Sequence, residues 1–152
     1  PVSLSTAISQ TQMLLRQRLE QEAVTLDIQG VNPEHSVLGD NARVEQVLVN
    51  LVSNACDALE ETPEKCIRMA SQATVNQLIL TVEDNGPGIA PDHQEQLFEP
   101  FFTTKSIGSG LGLGLAIVAA IIRDLNGTIR VDKSPMGGAR FTLVLPSANT
   151  ID

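Results

Sequence analysis

Positive charge is scarce in this chain: ten lysines and arginines stand against eighteen aspartates and glutamates, a formal net charge of −8. No basic stripe offsets that balance, so the surface repels polyanions and argues against nucleic-acid or anionic-membrane binding. Cysteine is nearly absent. Cys56 falls in a helical pattern and Cys66 in a strand-like one, with no histidine or further cysteine at ligand spacing, so both read as reduced packing residues. No apolar run approaches the ~18 residues of a membrane span, and the N-terminus lacks the basic-then-apolar pattern of a signal peptide. A cytosolic, soluble piece is expected. Internal repeats, low-complexity tracts and long charge blocks are also missing, and 152 residues, 42% of them hydrophobic, suffice for one core without disulfide or metal staples.

What is present follows regular periodicities. After a short extended start at Pro1 to Leu4, Ala7, Ile8, Met13, Leu14, Leu15 and Leu19 form a helical stripe ending near Glu22. Val24, Leu26 and Ile28 alternate as a half-buried strand does, and Val37-Leu38 reads as another. Asp40 or Asn41 can cap the next helix, whose apolar positions Val44, Val47, Leu48, Leu51, Ala55 and Leu59 run to about Glu61, before Pro63. Ile67 to Ser71 and Leu78 to Glu83 are paired strand candidates. Residues 85 to 110 then carry little periodicity beyond one helical turn near Gln94 to Leu97. A loop of that length inside a compact domain suggests a lid. Leu115 to Leu125 resumes helical spacing, Asn126-Gly127 ends it, and Thr128 to Val131 and Phe141 to Leu145 form a hairpin turned through Pro135 to Gly138.

Four segments carry chemistry. At ~100° per residue, Asn50, Asn54 and Asp57 project from one helix within an arc of about 60°, roughly 100° from Val44, Leu51 and Ala55. An amide carbonyl is a hard neutral metal ligand, and its NH2 group can donate to phosphate. Asp84 closes a strand directly before Gly86 and Gly88, where a fixed carboxylate can accept an amine while glycine admits a ring closely. Ile89 would wall that site. Gly108, Gly110, Gly112 and Gly114 alternate with Ser109, Leu111, Leu113 and Leu115 before a helix, which suits an anion site and fits neither the dinucleotide-binding nor the P-loop pattern. Phe98, Phe101 and Phe102, three of only four phenylalanines, lie in the lid as docking anchors.

The series Asn50-Leu51-Val52-Ser53-Asn54-Ala55-Cys56-Asp57-Ala58, Asp84-Asn85-Gly86-Pro87-Gly88-Ile89, Phe98 to Lys105, and Gly108 to Leu115 resembles the N, G1, F and G2 boxes of the ATP-binding domain of sensor histidine kinases. These belong to the gyrase, heat-shock chaperone, histidine kinase and mismatch-repair ATPase superfamily. The resemblance covers roughly residues 1 to 146, and four boxes in order at box-like spacing are far more specific than any one.

It implies a two-layer α/β sandwich of Bergerat type, a mixed sheet with three main helices on one face, in a single domain over 1–152. The nucleotide would be ATP with Mg2+, held through Asn50, Asn54, Asp57, Ala58, Asp84, Gly86, Gly88, Ile89, Thr103, Thr104, Lys105, Gly108, Gly110, Leu111, Gly112, Leu113 and Gly114. Asn54 would be the metal ligand, Asp84 the acceptor of the adenine amine, and Asn50, Asn54 and Lys105 the catalytic set. The chaperone, gyrase and mismatch-repair branches carry a glutamate base four residues before the metal-binding asparagine. Asn50 stands there instead, which disfavours hydrolysis and leaves transfer to an external nucleophile.

The resemblance further implies that the γ-phosphoryl group goes to a histidine on dimerisation helices of a parent kinase, and then to a response regulator. His35 and His93 lack the helical, acid-followed setting of a phosphoacceptor and read as surface residues, so the dimerisation and phosphoacceptor domain is expected to be absent. The fragment would be monomeric and cytoplasmic without membrane contact, its parent homodimeric and able to be anchored in the inner membrane. A noncatalytic nucleotide-sensing module and an anti-sigma-type serine kinase are the competing readings. Ala139 stands where many relatives place threonine. The F and G2 boxes look most like those of nitrogen- and dicarboxylate-sensing kinases.

Overall fold

The computed structural model describes residues 1–94, 96–99 and 114–147. In chain order these form β1 (Val2–Ser3), α1 (Leu4–Gln21), β2 (Thr25–Gln29), β3 (Ser36–Val37), α2 (Asn41–Ala58), β4 (Cys66–Ala73), β5 (Gln77–Asp84), α3 (Pro91–Gln94), α4 (Gly114–Asp124), β6 (Thr128–Lys133) and β7 (Ala139–Pro146). Local chemistry sets the helix starts. The Thr6 N–H donates to Ser3 Oγ at 3.4 Å ahead of α1, and the Ala42 N–H donates to Asp40 Oδ1 at 2.9 Å ahead of α2. Each bond satisfies a donor that the first helical turn leaves unpaired.

Five strands form one mixed sheet in the order β2-β4-β5-β7-β6. Only β2 and β4 run parallel; the other pairs are antiparallel. Along β5, Leu78, Leu80, Val82 and Asp84 are buried while Ile79, Thr81 and Glu83 are half-buried, the alternation of a sheet with one covered face. The long helices supply the cover. α2 is central and packs against both α1 and α4, burying Val44, Val47, Leu48, Leu51, Val52, Ala55 and Cys56. One hydrophobic cluster joins residues from Val2 to Leu145. The expected two-layer sandwich with three main helices on one face is the observed architecture. Among the described residues no helix is long and apolar enough to cross a membrane.

Two boundaries differ from the sequence-based expectation. α2 stops at Ala58 rather than near Glu61, because the Leu59 N–H bonds back to Ala55 and Cys56 while Thr62 turns onto the Leu59 carbonyl. The helical stretch of the lid starts earlier than expected, with α3 at Pro91–Gln94 because Pro91 is pre-set for a first helical position, while the Leu97 N–H still bonds to His93 O at 3.1 Å. The end of α4 follows expectation. Asn126 adopts φ +63° and the Gly127 N–H bonds to Ile122 O at 2.8 Å. A Cβ at 127 would meet Val144 O at 2.6 Å, so glycine is required where α4 turns onto β7.

Leu48, on the central helix and 1% exposed, should be among the costliest residues to truncate. Leu48→Ala is expected to lower the unfolding free energy by about 2–5 kcal/mol. Urea denaturation of both forms provides the check.

Candidate functional site

The inward row of β5 ends on a carboxylate. Asp84 is 2% exposed, in line with Leu78, Leu80 and Val82. Two backbone donors converge on its Oδ1, the Gly86 N–H at 2.9 Å and the Ala139 N–H at 3.3 Å. Both bonds end on the same oxygen, so neither occupies Oδ2. Burial pushes the Asp84 carboxyl above the ordinary carboxylate value, and the bonds from Gly86 and Ala139 offset only part of that push.

The surrounding backbone is packed tightly around this group. The Gly138 N–H bonds to Asp84 O at 3.2 Å, and a Cβ on Gly138 would overlap both Asp84 Oδ1 and the Asp84 carbonyl. Gly86 abuts the end of α2, where an added Cβ would lie 3.0 Å from Ala58 O. Gly88 has φ +80° and faces the carbonyls of Gly137 and Gly138, 3.4 and 3.6 Å from where its Cβ would be. The structure therefore brings Asp84, Gly86, Gly88 and Ala58 together, with Ile89 half-buried against the core nearby.

Asn50 and Asn54 are half-buried on α2, and Asn54 lies one turn before Ala58. Among the described residues, no other side chain holds either amide. Their carbonyl oxygens and NH2 groups are thus open to a ligand, a donor set that fits a hard divalent cation beside phosphate. Asp57, expected on the same face, is instead turned toward α1, where Arg18 Nη2 donates to its Oδ1 at 2.5 Å. Gly114 opens α4 and is exposed. Thr103, Thr104, Lys105, Gly108, Gly110, Leu111, Gly112 and Leu113, with Phe101 and Phe102, lie outside the described residues.

The described part of the lid is anchored. Phe98 packs edge-on against Phe141 of β7, ring centroids 6.2 Å apart and planes at 79°, and Leu97 is buried. Of the two thiols, Cys56 is buried and its pKa is pushed up to about 11 by burial, which suits a packing residue. The histidines are half-buried rather than free on the surface. His35 Nδ1 lies 2.8 Å from Ser71 Oγ, and the His93 backbone is part of the α3 turn.

Sequence reasoning passed over three groups. Asn85 locks the site to the sheet end, its Nδ2 donating to Glu64 O at 2.5 Å and its Oδ1 accepting from the Cys66 N–H at 2.9 Å. The backbone donor of Ala139 matters for Asp84 irrespective of the side chain at that position. Arg18 reaches α2 from 39 residues away in sequence. The first two belong to segments that were singled out for other reasons, whereas Arg18 has no local signal.

The raised pKa of Asp84 has a defined sign. Between the ordinary value of 3.8 and the raised folded value, the native state binds more protons than the unfolded chain. Asp84 therefore lowers stability as pH rises through that window. Asp84→Asn, which can keep an Oδ1 acceptor and loses the charge, is expected to gain stability relative to wild type as pH rises from below 3.8 to neutrality. Thermal unfolding of both forms across that range measures the difference. A constant difference would refute the assigned cost of the charge.

Comparison with known proteins matches this geometry. Residues 39–149 match the family of histidine kinase-, DNA gyrase B- and HSP90-like ATPases. The C4-dicarboxylate transport sensor protein DctB of Rhizobium meliloti (strain 1021) is 40% identical over 139 residues, covering 90% of this chain and 22% of that protein. The chain thus spans about a fifth of this relative's length. Among solved structures, the mycobacterial sensor histidine kinase MprB is similar with a TM-score of 0.85 at 28% identity, covering 97% of each chain. Histidine kinase ThkA in complex with the response regulator protein TrrA aligns with a TM-score of 0.79 at 29% identity, covering 96% of this chain and 41% of that one. With its buried strand-end carboxylate, its amide-faced central helix and these likenesses, the chain belongs to the histidine kinase-, DNA gyrase B- and HSP90-like ATPase family, as a histidine kinase catalytic domain.

Proposed function

We propose that this domain binds Mg-ATP beside Asp84 and transfers the γ-phosphoryl group to a histidine on the dimerisation helices of a parent sensor kinase, for onward transfer to a response regulator. The observation that carries this reading is the Asp84 carboxylate, buried at the C-terminal end of β5, with Oδ1 fixed by two backbone donors and Oδ2 taken by neither. Such a group can accept the exocyclic amine of adenine with little reorganisation. From Ala58 the site continues one helical turn to Asn54 and two to Asn50.

On this reading Asn54 would hold the magnesium ion through its carbonyl oxygen. The ion, when bound, supplies neutralisation of the phosphate charge that a protein of net charge −8 does not provide in bulk. Asn50 donates to phosphate and, being neutral, takes no proton from water, so hydrolysis is slow and an external nucleophile is needed. Lys105, Thr103, Thr104 and the glycines from Gly108 to Gly114 are proposed to close over the phosphates. ThkA in its complex with TrrA supports the choice of partners. We place the domain on the cytoplasmic side of the parent, monomeric when detached.

Incubating the chain with labelled Mg-ATP and the cognate dimerisation domain should give an acid-labile label on that domain, little self-labelling and slow ATP hydrolysis. Acid-stable label would indicate a serine kinase. Normal ATP binding with no transfer to a verified cognate domain would favour a nucleotide-sensing module, and stable labelling of His35 or His93 would overturn the proposal outright.

Asn54→Ala should abolish the magnesium dependence of ATP affinity while changing unfolding free energy by less than about 0.5 kcal/mol, because the side chain lies off the packed stripe. Calorimetry with and without magnesium, paired with denaturation, separates the two effects. Asp84→Asn should weaken ATP binding by about 1–3 kcal/mol, through loss or misorientation of the acceptor facing the amine.

A further inference from the structure

One guanidinium grips α2 on both sides of Asn54. Arg18, near the end of α1, donates from Nη1 to Ser53 Oγ at 2.8 Å and to Ser53 O at 3.4 Å. Its Nη2 donates to Asp57 Oδ1 at 2.5 Å, and its Nε donates to Glu22 Oε2 at 2.7 Å. Ser53 immediately precedes Asn54 and Asp57 follows it by three residues. The Arg18 and Asp57 side chains are only 31% and 26% exposed, so water screens their attraction incompletely. Burial alone would lower the Arg18 pKa, yet the bonds to Asp57 and Glu22 raise it above the ordinary value, so the charge is firmly held.

The position of Asp57 gives this arrangement a consequence. Residues three apart on a helix are neighbours, about 5–6 Å between Cβ atoms, so a carboxylate at 57 lies within reach of any anion bound at Asn54. Arg18 supplies positive charge to that carboxylate from the α1 side, away from the amide face. A plain brace between α1 and α2 needs only the Ser53 contacts, since Glu22 caps α1 itself. The third contact places compensating charge next to the proposed phosphate site.

We infer that Arg18 is a positioning residue for the nucleotide: by pairing with Asp57 and drawing its carboxylate toward α1, it keeps negative charge off the triphosphate held at Asn54. Asp57 then acts on the phosphates indirectly rather than as a contact. This inference rests on the proposed binding of ATP along the α2 amide face.

The test compares wild type, Arg18→Gln and the Arg18→Gln/Asp57→Asn double variant for affinity to Mg-ATP, ADP and adenosine, with thermal unfolding recorded for each. Arg18→Gln keeps a donor for Ser53 and removes the charge. It should weaken Mg-ATP by about tenfold, ADP less, and adenosine hardly at all. Adding Asp57→Asn should restore most of the Mg-ATP affinity, an outcome that a mere loss of helix bracing does not produce. Arg18→Lys, a gentler change should the first variant unfold, keeps the charge without the planar fork and should hold ATP-over-adenosine selectivity within about threefold of wild type. Equal weakening of all three ligands, no recovery in the double variant, or collapse of selectivity in Arg18→Lys would overturn the inference. Failure of wild type to bind any adenine nucleotide would instead overturn the proposed function and this inference with it.

Discussion

A charge buried at the end of an apolar row is the constraint from which the rest of the site follows. β5 alternates like any half-covered strand, but its last inward position is Asp84 rather than a fourth aliphatic residue. Folding alone has no use for a carboxylate there, since desolvation disfavours its charged form. The surrounding features limit that cost. Gly86 and Ala139 each point an N–H at Oδ1, Gly138 leaves out the Cβ that would displace it, and Asn85 ties the following turn to Glu64 and Cys66 so that the donors stay in place. Three separate stretches of sequence are thereby organised around one oxygen.

The central helix handles the opposite problem, how a strongly acidic chain can accept a polyanion. Its inward side is ordinary packing. Its outward side presents Asn50 and Asn54, which offer donors and acceptors without charge, while the neighbouring carboxylate of Asp57 is paired with Arg18. The neutral amides and the buried carboxylate are separated along α2 by the distance between Asn54 and Ala58. On the proposed reading the charge thus lies where an amine would be read and away from where phosphate would lie.

Most of this was legible in the sequence because it is local. The Asp40 cap, the amphipathic run of α2, the alternation of β5 and the Asn126-Gly127 stop all depend on neighbours within a few residues, and each predicted its element. The end of α2 slipped because apolar spacing does not register a backbone turn: the Thr62 N–H bonds to the Leu59 carbonyl, although the spacing alone would have carried the helix to Glu61. Long-range polar partners were invisible because nothing within a few residues encodes them. Arg18 sits among other polar residues of α1 with nothing in its vicinity to distinguish it from Arg16, whose partner Glu20 is merely one turn away. Only the packing of α1 on α2 makes one arginine a surface pair and the other a clamp on the amide helix.

Strand β7 couples the described part of the lid to the Asp84 end of the sheet. Ala139 and Phe141 are two apart, so both face the helices. The first donates its N–H to Asp84 and the second seats Phe98 of the lid. A displacement of β7 that lengthened the Ala139 bond would also move the surface on which Phe98 rests, because one stretch of hydrogen-bonded backbone carries both. The Glu83↔Arg140 pairing of β5 with β7 lies between these two residues, which leaves little freedom for one contact to shift alone. Phe98 thus packs against the main core and ties the described part of the lid to β7.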